Sequence, residues 1–589
     1  MRLSPLGVSR SFHVIGRILP RTLAYLLDNW YNSKQGEVKA LREKSTHLIK
    51  NIDLAIGVDI KEHLLKKDRE QALKRIKPPT RSSFDPDPKN CCMPGTRADL
   101  IERLTSFAVS EGTSQRLFFL SGIAGCGKSS VATSVANSLH ERGCLSGSFF
   151  FQRDDKELRN PTDLLHTMAY SIALRHEPYR KALMDVLQTN PRIEDEAPLI
   201  QFNALFKNTI SKLPSTTTSD SPSKQAIVSI VIDALDECDD PRSASSYLVE
   251  IVGLAPWLRV IVTSRPLDDI EPDLRRAEYA THLNLFTVDA SEDILKFTLS
   301  YFSPPGLLHR LRSRVMEEEI QALANKSHGL FNWIKTVLLY LASLAWEEAK
   351  LKEMRSILSS SSAAGPEKGI DELYLRVLRN VAGNSPDYLD AVKSFVGSIY
   401  VTSRNRPLPC KGLHAFIPIS DPDILATPED IDGLRSKLAA VITIDAETEA
   451  LHVCHPSFLD FVEKEARSQE FWTNPEALDT MMAQRCFNIM KAGLRFNICG
   501  LESSHQRNDE ILGLVQRISP ELQYSAVYWL DHLSLSGGLG KEEKITNAYE
   551  FLYHARLFYW LEVLSVISEI NAAAQTLRKL VALSKVGGY

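Results

Sequence analysis

The chain has 589 residues, 44% hydrophobic and 24% charged, with 69 Lys and Arg against 73 Asp and Glu. That length exceeds one ordinary core and predicts several domains, while the composition excludes a disordered or fibrous chain. A net charge of −4 gives no global reason to expect nucleic acid or an acidic membrane surface as partner.

The nine cysteines are odd in number and lack zinc-ligand spacing, and read as reduced thiols of an intracellular protein. Met1 to Leu27 holds four arginines and no acidic residue. That pattern fits a mitochondrial transit peptide; a basic amphipathic helix of an N-terminal domain is the preferred reading. The expected location is therefore the cytoplasm, with the mitochondrion as alternative. Residues 1–90 are expected to be a helical region closed by the linker Pro78–Pro88. Leu330–Trp346 is the most apolar long stretch, but it contains Lys335, is short of a bilayer span and reads as a buried helix.

Residues 91–290 carry an alternation of apolar strands and helical segments. Strands are expected near Leu117–Leu120, Gly147–Phe151, Ile227–Asp233, Leu258–Thr263 and His282–Leu285, which predicts a mostly parallel sheet covered on both faces. The segment Pro214–Pro222 reads as a surface loop. Between Gly122 and Ser129 the chain matches G-x-x-x-x-G-K-[ST], between the first strand and a helical segment. Gly122, Gly125 and Gly127 would let backbone N–H groups wrap phosphates, with Ser130 at the start of the helix. Lys128 would reach the β/γ oxygens and Ser129 would ligate Mg²⁺.

The strand Ile227–Asp233 would deliver Asp233 to its carboxyl end, opposite Ser129, as a second Mg²⁺ ligand. Asp236 or Glu237, one short turn later, could orient or deprotonate an attacking water. Arg265, at the end of the following strand, can reach a γ-phosphate. Arg153, at the end of the second strand, is either a phosphate contact or a surface ion-pair partner.

Helices are expected to dominate beyond residue 290, with a link at Ser359–Lys368. Ala440–Ile444 and Leu451–Cys454 read as a hairpin around Asp445–Glu449, and helices followed by a hairpin suggest a winged helix. The expected divisions are thus 1–90, 91–290, 291–384 (helical), 385–465 (winged-helix-like) and 466–589 (helical tail). The fold class is α/β plus all-α: a P-loop NTPase sheet followed by helical and winged-helix domains.

The chain resembles the NACHT branch of the STAND signalling NTPases, as found in fungi. The resemblance rests on Cys92–Arg97, Ser121–Ser130, Ser148–Arg153, Val231–Asp239, Val262–Pro266, Lys326–Trp333, His455–Phe461 and Leu494–Ser504, in that order. It implies that Gly95, Thr96 and Arg97 lie near the base, that Arg265 is the sensor arginine, and that His455 touches the diphosphate. Taken alone, a histidine after a strand would read as a core residue. Ala234 departs from the glycine common there, and Phe331 stands where related proteins have a proline on the nucleotide.

The resemblance implies a switch that binds ATP or GTP with Mg²⁺, hydrolyses it slowly and self-oligomerises when activated. Its protein partners would act through the N-terminal region. Sensor repeats usual in this class leave no detectable period after residue 570. A motor ATPase of the AAA type and a scaffold whose nucleotide never turns over are the rival readings.

Overall fold

The computed structural model describes residues 90–153, 158–213, 227–268, 270–360, 366–383, 385–417, 427–445, 448–501, 507–537 and 556–585, with Leu73, Arg75, Ile76 and a few positions between 546 and 552. The basic segment Met1–Leu27, the Pro78–Pro88 linker and the Pro214–Pro222 loop lie outside the described residues. The chain divides into two compact units, residues 1–77 with 183–195, and residues 78–182 with 196–589. In the first, the Arg75 guanidinium donates to the carbonyls of Leu187 and Pro191 and lies 3.7 Å from Glu194.

The second unit is built on five parallel strands: β1 (Leu117–Ser121), β2 (Leu145–Phe150), β3 (Val228–Asp233), β4 (Leu258–Ser264) and β5 (Ala280–Asn284). Their order is β2-β3-β4-β1-β5. All of β1, β3 and β4 is buried, which the continuous apolar runs require of a sheet covered on both sides. The strand boundaries expected from sequence move by one or two residues. Leu285, for example, leaves the sheet for a short 3₁₀ turn.

Around the sheet lie α1 (Ala98–Val109), α2 (Lys128–Glu141), α3 (Pro161–Arg175) and α4 (Pro241–Leu254). Asn160 and Asp240 cap α3 and α4 with their side chains, each followed by a proline in the first turn. The order places β4 between β1 and β3. The chain segments leaving these three strands therefore share one edge of the sheet, where open parallel sheets hold ligands.

Beyond the sheet the chain is helical: α5 (Ser291–Phe302), α6 (Glu317–Lys326), α7 (Phe331–Ser343), α8 (Glu347–Ser359), α9 (Pro366–Ala382) and α10 (Pro386–Ser403). The apolar stretch from Leu330 forms α7, which buries Trp333, Ile334, Val337, Leu338 and Leu341 in the core. Helices α8 and α9 take up the two ends of the expected Ser359–Lys368 link, leaving 360–365, of which 361–365 lie outside the described residues.

After α11 (Pro428–Lys437), β6 (Ile442–Ile444) and β7 (Leu451–Val453) pair antiparallel, Ile442 opposite Val453, as the hairpin pattern predicts. They lead into α12 (Pro456–Glu463). Helices α13 (Pro475–Gly493), α14 (Pro520–Leu535), α15 (Arg556–Val566) and α16 (Ile570–Lys585) complete the unit. Among the described residues no helix is long and apolar enough to cross a membrane. None of the nine cysteines is bridged.

Candidate functional site

The glycine loop joins β1 to α2. Gly122 donates its N–H to the Ser264 carbonyl at the end of β4, 3.3 Å away. Gly125 and Gly127 have φ of 85° and 99°, a region that side chains disfavour. A Cβ on Gly125 would also stand 2.8 Å from the Cβ of Asn332. No side chain caps α2, so the amides of Lys128, Ser129 and Ser130 lack an intrahelical acceptor. Three such N–H groups at the positive end of a helix could hold an anion. The Lys128 ammonium folds back to donate to the carbonyls of Gly122 (2.7 Å) and Ile123 (3.1 Å).

Asp233 is 3% exposed at the end of β3. Its carboxylate accepts from the hydroxyl of Thr263 on β4 (2.5 Å), and the Ser129 hydroxyl is near enough to stabilise its charge. Burial raises the Asp233 pKa, while these hydroxyls and Lys128 oppose the rise. An oxygen pair of this kind, from a hydroxyl and a buried carboxylate, could hold a hard divalent cation. The glycine cradle and uncapped helix start likewise fit a phosphate chain. Thr263 also accepts the N–H of Ala234 at 3.0 Å. Ala234 adopts φ 56°, which gives a physical reason for a glycine at this position in similar chains.

In the short 3₁₀ turn Leu235–Glu237, the two acids have different partners. Asp236 accepts from the Arg265 backbone N–H (2.9 Å) through one oxygen and forms an ion pair with Arg265, Nε at 3.0 Å from the other. Glu237 accepts from the Arg153 backbone N–H at 3.0 Å. Burial and the neighbouring Asp236 charge push the Glu237 carboxyl up to about 7, against the pull of Arg153 and Arg265.

Thr96 and Arg97 form a tight turn before α1, where the Thr96 hydroxyl and N–H both donate to the Met93 carbonyl at 2.7 and 3.0 Å. Arg97 is buried with φ 54°, and its N–H donates to Asp293 at 3.1 Å. Its guanidinium stands over the Phe331 ring, 5.8 Å from the centroid, and its Nε has no partner. The same ring lies 3.8 Å from where a Cβ on Gly127 would be. Phe331 thus stands between this turn and the glycine loop.

A second group of residues approaches the loop from far along the chain. Asn332 donates its backbone N–H to the Gly125 carbonyl at 3.1 Å. Its side chain donates to Tyr374 (3.1 Å) and Ser457 (3.2 Å). His455 caps α12 by accepting the Ser457 N–H on Nδ1 at 3.1 Å. Burial holds the ring near pKa 3, helped by the charges of Arg265 and Lys128. A neutral ring that accepts on Nδ1 carries its proton on Nε2.

One turn into α12, Asp460 meets both arginines: Oδ1 accepts from Arg153 and Oδ2 from Arg265, each at 2.6 Å. The sequence reading passed over Thr263, Asn332, Tyr374 and Asp460. Thr263, Asn332 and Asp460 did leave a signal, since they lie in the segments Val262–Pro266, Lys326–Trp333 and His455–Phe461 that carry the resemblance; Tyr374 lies in none. Among the described residues no cluster of three or more His, Cys, Asp or Glu is arranged to hold a metal. Any cation here would rest on the Ser129–Asp233 pair and on groups supplied by the ligand.

Residues 95–265 match the model of one known family, described as Nephrocystin 3, N-terminal. The matched stretch begins at Gly95 and ends at Arg265, so it holds the glycine loop, Asp233 and both arginines, but neither His455 nor Asp460. No curated protein matches the chain.

Proposed function

We propose that this protein is a nucleotide-dependent switch of the NACHT type, binding ATP or GTP and their diphosphates with Mg²⁺. The observation that carries this reading is the convergence of loop Gly122–Ser129 with buried Asp233, whose charge the Ser129 hydroxyl and Lys128 favour, at the carboxyl edge of the sheet. In it, Lys128 and the first amides of α2 hold the phosphates, and Ser129 and Asp233 hold the cation. Asp236 is committed to Arg265, which leaves Glu237 as the group that orients water. Arg97 and Phe331 border the side where the base would lie; an aromatic ring there can replace the proline contact of related chains. His455 offers Nε2–H as a neutral donor to the diphosphate.

The hairpin β6–β7 and α12 form the winged-helix-like part of the switch, whose cost or gain must differ between two nucleotides for the device to work. Hydrolysis serves as a slow reset, and activation leads to self-association. Lys128→Ala should reduce nucleotide affinity at least about a hundredfold, the loss expected when a charge-assisted phosphate contact is removed. Calorimetric titration with ADP, ATP, GDP and GTP checks it, and unchanged affinity for whichever binds refutes the assignment. Rapid, partner-stimulated turnover would instead favour a motor.

A further inference from the structure

Arg153 and Arg265 leave different strands, β2 and β4, yet converge on a single carboxylate from α12. Both Asp460 oxygens are used, one per arginine, and the Asp460 side chain is only 14% exposed. Burial works against its ionisation, but the two guanidiniums hold the carboxyl below the ordinary carboxylate range. A carboxylate and a phosphoryl group are alternative acceptors for the same guanidinium fork. Arg265 already gives Nε to Asp236 and one terminal nitrogen to Asp460. A third phosphate approaching it would meet a like charge and a committed cation.

Volume is not the obstacle. A cavity of about 190 Å³ opens beside Ile123 and Ala124 of the loop and is bordered by Arg265, Ser457 and Asp460. Lys464 and Arg467 also line the cavity, so what stands against a third phosphate there is local to the arginines: the Asp460 charge and the two ion pairs that must be broken.

We propose that Asp460 is the specificity residue that makes this arrangement accept a nucleoside diphosphate and reject the triphosphate. It takes the γ-phosphate's place at Arg153 and Arg265. This rests on the nucleotide reading of Gly122–Ser129. A triphosphate can enter only by displacing Asp460, and with it α12, so the choice of nucleotide and the position of α12 become one equilibrium. A ligand moves such an equilibrium only through a difference in contacts between the two states, and the shared arginines supply that difference.

The test uses the full chain, titrated calorimetrically with ADP, ATP, GDP and GTP in Mg²⁺, as wild type, Asp460→Asn and Asp460→Glu. The expected result is that Asp460→Asn keeps diphosphate affinity and gains triphosphate affinity about tenfold or more, a typical size for site-to-site coupling. Asp460→Glu keeps the charge and should retain the wild-type ratio. An unchanged ratio in Asp460→Asn, with diphosphate still bound, overturns the Asp460 assignment alone. An equal shift in both variants overturns it too, since charge would then not be the cause. If wild type binds none of the four, the nucleotide reading itself falls and the proposal with it. Should the variants not fold, hydrogen exchange on wild type decides: 456–463 must exchange faster with the triphosphate bound than with the diphosphate, and equal protection overturns the proposal.

Discussion

Glu237 would give the proposed hydrolysis a pH signature. An ordinary carboxyl of this kind ionises at 4.5, and burial beside Asp236 moves Glu237 to about 7. The difference costs the ionised form about 3 kcal/mol. If Glu237 must be ionised to orient or deprotonate water, about one molecule in ten is competent at pH 6 and about nine in ten at pH 8. Single-turnover hydrolysis should therefore rise about tenfold over that interval, with its midpoint near 7. His455 cannot produce this inflection, because its ring titrates near 3 and stays neutral throughout.

The same shift has a stability consequence of opposite sign. Between 4.5 and 7 the unfolded chain releases a proton that the folded chain keeps, so rising pH removes stability until Glu237 ionises in the folded state as well. Glu237→Gln keeps an acceptor for the Arg153 N–H but has no charge to bury. It should abolish hydrolysis and raise the unfolding temperature at pH 8 more than at pH 5. A flat pH–rate profile, or a midpoint near 4.5, would refute the role given to Glu237.

Two further predictions follow from the geometry of single residues. Ala234→Gly removes a Cβ from a backbone at φ 56° and should stabilise the protein by about 1 kcal/mol, read as a higher unfolding temperature in scanning fluorimetry. Asp479 is buried on α13 and accepts from Arg404 at 2.6 and 2.7 Å and from His532 Nδ1 at 2.8 Å, while His532 Nε2 pairs with the Tyr524 hydroxyl. Asp479→Ala strands two donors and should cost about 3 kcal/mol, with unfolding of the α13–α14 pair detected first by hydrogen exchange.

What could be read from the chain alone was what is local. The run Leu117–Leu120 into Gly122–Ser129 and then into α2 is contiguous, so periodicity and glycine spacing expose it. Asp233 and Arg265 were legible for a related reason, because each ends an apolar strand. Thr263 was not, because its partner depends on β4 lying between β1 and β3, and strand order leaves no trace in periodicity. Asn332 and Tyr374 were hidden in helical segments whose apolar neighbours explain them as core. Asp460 reads as the polar face of an amphipathic helix until the fold places it against two arginines. The C-terminal boundaries of Gly147–Phe151 and His282–Leu285 slipped because apolar residues continue past the last ladder pair.

The backbone hydrogen bond from Asn332 to the Gly125 carbonyl also bears on how the protein is made. Gly125 leaves the ribosome long before Asn332, and Ser457, which completes the polar cluster beside it, emerges later still. The strands of the sheet can pair among themselves as residues up to 284 appear, as domains do during synthesis. The glycine loop cannot take its final fastening until contacts of very high sequence separation close, the slow class in folding. A nascent chain therefore carries the glycine loop with its sheet behind it and nothing yet holding its far side, and the finished geometry belongs only to a chain synthesised past α12.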